Sequence, residues 1–191
     1  IESSTPTRAE VNDVANAVLD GADAVMLSGE PSVGKFPEYV IKAMVKILEE
    51  TGDYKFQELT DDINPEKNKD RFITDSICFN ASNLADKTSA KAIVTMTFTG
   101  YTAFKISSKR PKASIFVFSG NRELLTKLSL VWGVKTFYYD KMVSTDHTIA
   151  DIHYMLKKQG YVAEGDLIIN TASIPLEESG KTNMLKLSHI D

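Results

Sequence analysis

The sequence predicts an α/β fold whose sheet is mostly parallel, covered by helices, and closed on one side by an antiparallel edge strand. Three observations carry this. Helical periodicity alternates with short apolar, β-branched runs nearly throughout. In the second part of the chain four such runs are separated by helical patterns, which favours right-handed crossovers between parallel strands. Near the C-terminus Leu185-Lys186-Leu187-Ser188 alternates in polarity, the pattern of an edge strand.

Thr7-Arg8-Ala9-Glu10 is a capping box, in which the threonine caps and the glutamate reaches back to its amide. The helix it opens carries Val11, Val14, Ala15, Val18 and Leu19 on one face, and Gly21 can end it. Residues 24–27 read as a short buried strand. A second amphipathic helix presents Val40, Ile41, Met44, Val45 and Leu48, with Gly52 beyond its end. Residues 52–70 differ in character: Asp61-Asp62, Asn64-Pro65 and the charged run Glu66-Lys67-Asn68-Lys69-Asp70 have little periodicity and mark a linker and domain boundary.

Beyond it, a helix of about four turns carries Phe72, Ile73, Ile77, Cys78, Leu84 and Ala85. Strands are expected at 91–97, 114–118, 134–139 and 166–170. A short helix spans 103–108 and is stopped by Pro111. Asn121 caps a helix bearing Leu124, Leu125, Leu128 and Trp132, closed by Gly133. A further helix from about residue 148 buries Ile149, Ile152 and Leu156. Lys157 and Lys158 lie in its last turn, followed by Gly160.

The 191 residues are 42% apolar and 25% charged, ordinary for a globular protein with a core. A net charge of -4 gives no electrostatic reason to expect nucleic acid or an anionic membrane as partner. No apolar run is long enough to span a bilayer and no signal-peptide pattern is present. The single cysteine, Cys78, excludes an internal disulfide framework and fits a reducing compartment, so cytoplasm is expected. Ile1 rather than Met at the first position suggests a piece of a longer product.

Two segments resemble phosphate-cradling loops and fail chemically. In Gly29-Glu30-Pro31-Ser32-Val33-Gly34-Lys35, Pro31 has no amide hydrogen, Glu30 repels phosphate, and Phe36 replaces the hydroxyl that would bind magnesium. Ser179-Gly180-Lys181-Thr182 lacks the earlier glycine, which is Pro175, and Glu177 and Glu178 occupy the loop. Thr97-Phe98-Thr99-Gly100-Tyr101-Thr102 is different. It leaves a strand and opens a helix, where free amides and the helix dipole favour an anion. Two readings stay open on the residues alone: a helix cap that turns the chain, or an anion site, the second gaining weight if the loop lies at a topological switch point. His147, His153 and His189 have no metal-ligand spacing and read as surface or structural histidines. Cys78 reads as a core thiol and Trp132 as core packing, while Arg122 near a helix start is either an anion contact or solvated.

Pro6-Thr7-Arg8-Ala9-Glu10, Asp13-Val14-Ala15-Asn16-Ala17-Val18, Asp20-Gly21-Ala22-Asp23 and Met26-Leu27-Ser28-Gly29-Glu30, in this order and spacing, closely resemble the pyruvate kinase family. The threonine-rich loop 97–102 and Ser179-Gly180-Lys181-Thr182-Asn183 resemble it more loosely, so the likeness spans the chain. The resemblance implies transfer of a phosphoryl group from phosphoenolpyruvate to ADP, giving pyruvate and ATP in glycolysis, with Mg2+ and K+ as cofactors. It implies a cytoplasmic homotetramer, with helices near Arg8 at a subunit contact and allosteric control through a C-terminal α/β domain. On this resemblance residues 1–55 are the end of a (β/α)8 barrel, 56–70 a linker, and 71–191 the C-terminal regulatory domain.

Barrel chemistry sits at the C-terminal ends of strands, so the resemblance places Ser28 and Glu30 at the rim of the active site in a supporting role. The catalytic lysine, metal carboxylates and potassium ligands belong to family segments not in this sequence, so no metal ligand is expected here and the chain alone is expected to be inactive. The effector or anion site implied by the family falls on Thr97, Thr99, Gly100, Tyr101, Thr102, Ser179, Gly180 and Lys181. Tyr101 departs from a position that is often basic, and Glu177 and Glu178 add negative charge beside it. These disfavour fructose bisphosphate and favour a monophosphate, a sugar phosphate or a nucleotide.

A stand-alone module that senses a phosphorylated metabolite without chemistry is the competing reading. The barrel-like residues 1–50 argue against it, and a start codon immediately before Ile1 would revive it. A dinucleotide oxidoreductase lacks the glycine fingerprint and the ribose-binding carboxylate after any strand.

Overall fold

The computed structural model describes residues 2–52, 69–141, 144–174 and 181–191. The chain divides into two compact units, Ile1–Glu58 and Leu59–Asp191.

In the first unit, α1 (Arg8–Leu19) starts at the expected capping box. Thr7 Oγ1 accepts from the Glu10 amide at 3.3 Å and the Glu10 carboxylate accepts from the Thr7 amide at 2.7 Å. A short helix α2 (Gly29–Ser32) precedes α3 (Pro37–Gly52), whose first residue is a proline, where a missing amide hydrogen has no consequence. The expected strand at residues 24–27 does not form. This stretch lies between α1 and α2 without strand pairing, and Met26 is 86% exposed. An apolar run becomes a strand only when a neighbouring strand takes its backbone hydrogen bonds, and no described segment of this unit offers one.

The second unit holds α4 (Phe72–Thr88), β1 (Ala92–Met96), α5 (Tyr101–Ser108), β2 (Ser114–Ser119), α6 (Arg122–Leu128), β3 (Val134–Tyr138), α7 (Thr145–Lys158), β4 (Leu167–Ala172) and β5 (Met184–His189). The sheet order is β3-β2-β1-β4-β5, with parallel pairing except for β5, which runs antiparallel to β4. This is the mostly parallel sheet with an antiparallel edge that the patterning predicts. Strand ends shift by one or two residues, and three helix boundaries differ. α5 begins two residues earlier than expected, because Gly100 in the left-handed region redirects the chain straight into the helix. α7 begins at Thr145, since Ser144 caps it by accepting from the His147 amide. α6 stops at Leu128, so Trp132 lies in the turn before β3, half-buried, with the Arg110 guanidinium 4.9 Å from its ring and its carbonyl accepting from Ser107.

Strand side chains alternate between two cores, as the period of two requires. Ile93, Ile115, Val117 and Ile169 face Cys78, Ala81, Ala85, Ile106 and Leu128 of α4, α5 and α6. Val94, Phe116, Phe118 and Ile168 face Ile149, Ile152 and Leu156 of α7. Phe118 stacks on Phe137 with centroids 4.9 Å apart. Burying each of these large side chains contributes about 1.5–3 kcal/mol. Both faces of β1 and β2 are therefore covered, and this explains their near-continuous apolar runs. Among the described residues no helix is long and apolar enough to cross a membrane.

Candidate functional site

The chain proceeds outward from β1 to β2 to β3, then returns to the other side of β1 with β4. The strand order thus reverses between β1 and β4, and the crevice beyond their carboxyl ends is where open α/β sheets bind ligands. The loop leaving β1 at this point is residues 97–102.

Its conformation follows from its residues. The Thr97 hydroxyl accepts from the Gly100 amide at 2.9 Å, and the Thr99 hydroxyl faces the Tyr101 amide at 3.5 Å. Gly100 sits at φ 82°, and a Cβ there would meet Leu124 Cδ1 at 2.7 Å, so glycine is required by both backbone and packing. Gly100, at the N-cap of α5, has no side chain to cap the helix, and the Thr99 hydroxyl is the group beside its first amide. Phe98 and Thr99 are exposed at this mouth, Tyr101 is half-buried and Thr102 is buried. Thr102 does not present its hydroxyl to a ligand: it lies 2.7 Å from the Thr182 hydroxyl. The Thr182 carbonyl in turn accepts from Thr74 of α4 at 3.3 Å. Lys181 is exposed beside Thr182, while Ser179 and Gly180 lie outside the described residues.

Tyr101 is the centre of a charged cluster that sequence spacing does not reveal. Its hydroxyl donates to Asp75 Oδ1 at 2.7 Å, and Lys105 Nζ lies 3.5 Å from Asp75 Oδ2. The Arg71 guanidinium lies over the Tyr101 ring, with Cζ 4.0 Å from the centroid. Burial and the bond to Asp75 push the Tyr101 phenol above its ordinary value. Burial opposes the charge on Lys105, yet Asp75 and Tyr101 together outweigh it and raise its pKa. These partners come from α4, the residue that precedes it and α5, about 26 to 30 positions apart in sequence, and the packing of the two helices unites them.

In the first unit, Ser28 and Glu30 are linked through backbone rather than side chain to side chain. Glu30 Oε2 accepts from the Ser28 amide at 3.0 Å, and Glu30's own amide and that of Ser28 hold its carboxyl below the usual value. Glu30 lines a cavity of about 480 Å³ together with Thr7, Glu10, Val14, Leu27 and Met44. No group of three or more His, Cys, Asp or Glu that could hold a metal ion occurs among the described residues. The first four residues of the rejected loop at 29–35 form α2, and Lys35 pairs with Glu2.

The remaining candidates have structural partners. Cys78 is 1% exposed and burial pushes its thiol up to about 12. His153 Nε2 is 3.0 Å from Asn170 Oδ1, His147 joins the α7 cap through Ser144, and His189 Nδ1 lies 3.3 Å from the Gly165 carbonyl. The Arg122 guanidinium packs over Tyr138 at 3.8 Å.

A family model described as pyruvate kinase, alpha/beta domain, matches residues 75–188, and one described as pyruvate kinase, barrel domain, matches residues 1–41. The pyruvate kinase of Clostridium acetobutylicum is 37% identical over 97% of this chain and 39% of its own length, and that of Geobacillus stearothermophilus is 38% identical over 95% and 31%. A crystal structure of a pyruvate kinase from Cryptosporidium parvum aligns with a TM-score of 0.80 at 29% identity, covering 100% of this chain and 38% of that one. The chain thus spans between three-tenths and two-fifths of the length of these relatives. With models for both domains matching in order along its length, the chain belongs to the pyruvate kinase family.

Proposed function

We propose that this chain supplies the effector-binding domain and the last barrel elements of a cytoplasmic, homotetrameric pyruvate kinase, which transfers a phosphoryl group from phosphoenolpyruvate to ADP. Residues 1–55 are the barrel portion, 56–70 the connection and 71–191 the regulatory domain, a division consistent with the family models at 1–41 and 75–188. Within it, Ser28 and Glu30 belong to the rim of the phosphoryl-transfer site. Glu30 is positioned by the amides it accepts from, which keeps it ionised at neutral pH.

Mg2+ and K+ serve the reaction in the intact enzyme. On the resemblance to the family, the residues that hold these ions lie in family segments that this sequence does not contain. The chain by itself does not form pyruvate. A lactate-dehydrogenase-coupled assay with phosphoenolpyruvate, ADP, Mg2+ and K+ should give the blank rate, and turnover above it would contradict this.

The regulatory part of the proposal is that residues 97–102 bind a phosphate monoester, a sugar phosphate or a nucleotide. The observation that carries it is the position of this loop, which opens α5 at the reversal of strand order between β1 and β4. A ligand that binds only the folded state raises the melting temperature by mass action. Ribose 5-phosphate, glucose 6-phosphate, AMP, fructose 1,6-bisphosphate and phosphate are therefore compared in a thermal-shift series. A monophosphate should stabilise more than the bisphosphate, and Thr99→Glu, a carboxylate placed at the exposed mouth, should remove the shift. No shift with any of them would return the loop to a helix cap.

A further inference from the structure

We draw no further inference here: the strongest candidate, the cavity of about 740 Å³ lined by His153, Lys157 and Lys186 between α7 and the edge strand β5, carries nothing because its two lysines already pair with Glu164 and Asp146 and nothing in the structure shows what would occupy it.

Discussion

The hydroxyl of Thr102, in the first turn of α5, lies 2.7 Å from the hydroxyl of Thr182, two residues before the edge strand β5, and both side chains are at least 96% buried. This pair ties the helix that opens the candidate site to the chain entering the last strand. Replacing either by valine leaves the other hydroxyl buried without a partner and should cost about 1–3 kcal/mol. The double replacement by valine removes both polar groups and should cost less than the sum of the singles. Urea denaturation of the three variants measures this; strict additivity would show that the two hydroxyls do not depend on each other.

Gly100 is constrained twice, by φ 82° and by Leu124 2.7 Å from where a Cβ would stand. Gly100→Ala should therefore destabilise the α/β unit by about 1 kcal/mol or more. Combining it with Leu124→Ala should relieve the steric part but not the backbone part. Equal stability of Gly100→Ala and wild type in chemical denaturation would contradict the loop conformation.

His153 gives the α/β unit a pH dependence of definite sign. Burial is the main cause that lowers its pKa from the ordinary 6.5, reinforced by Lys186 and opposed by the Asn170 hydrogen bond and Asp191. The unfolded chain then takes up a proton near pH 6.5 that the folded chain refuses until lower pH. The stability attached to neutral His153 is present above 6.5 and is lost as pH falls through and below that value. Because Asn170 Nδ2 donates to the Lys186 carbonyl and Ser188 Oγ, its Oδ1 must accept, so His153 carries its proton on Nε2. Melting temperatures from pH 8 to pH 5 should fall more steeply for wild type than for His153→Gln; parallel curves would contradict this assignment.

Cys78, buried against α5 with its thiol pushed up to about 12, should be unreactive toward a disulfide reagent at pH 8 in the folded chain. It should react promptly in urea. Rapid modification of the folded chain would show that α4 does not seal this core.

The sequence was most informative where local rules and tertiary context agree. Ala92–Met96 and Ser114–Ser119 read as strands because both of their faces are buried, and the Thr7–Glu10 capping box set the start of α1 because the interaction is complete within four residues. Residues 24–27 have the same apolar character and were misread, since strand formation depends on neighbours that a local pattern does not contain. Trp132 was placed on α6 by spacing, but the turn from Ser129 onward carries it to Arg110. In the candidate site, the threonines and Gly100 were legible as a strand-to-helix turn. The partners that define its chemistry were not: Thr182 is 80 positions from Thr102, and Asp75 is 26 from Tyr101. Arg71 gave no signal at all, since a lone arginine at a helix start is ordinary.

The central claim, an anion site at the start of α5, is tested most directly by following backbone amide resonances while inorganic phosphate is added. The account predicts saturable shifts concentrated on Thr99, Gly100, Tyr101 and Thr102, with Leu124 and the strands little affected, and their disappearance in Thr99→Glu. Shifts spread evenly over exposed lysines, or none at this loop, would contradict it.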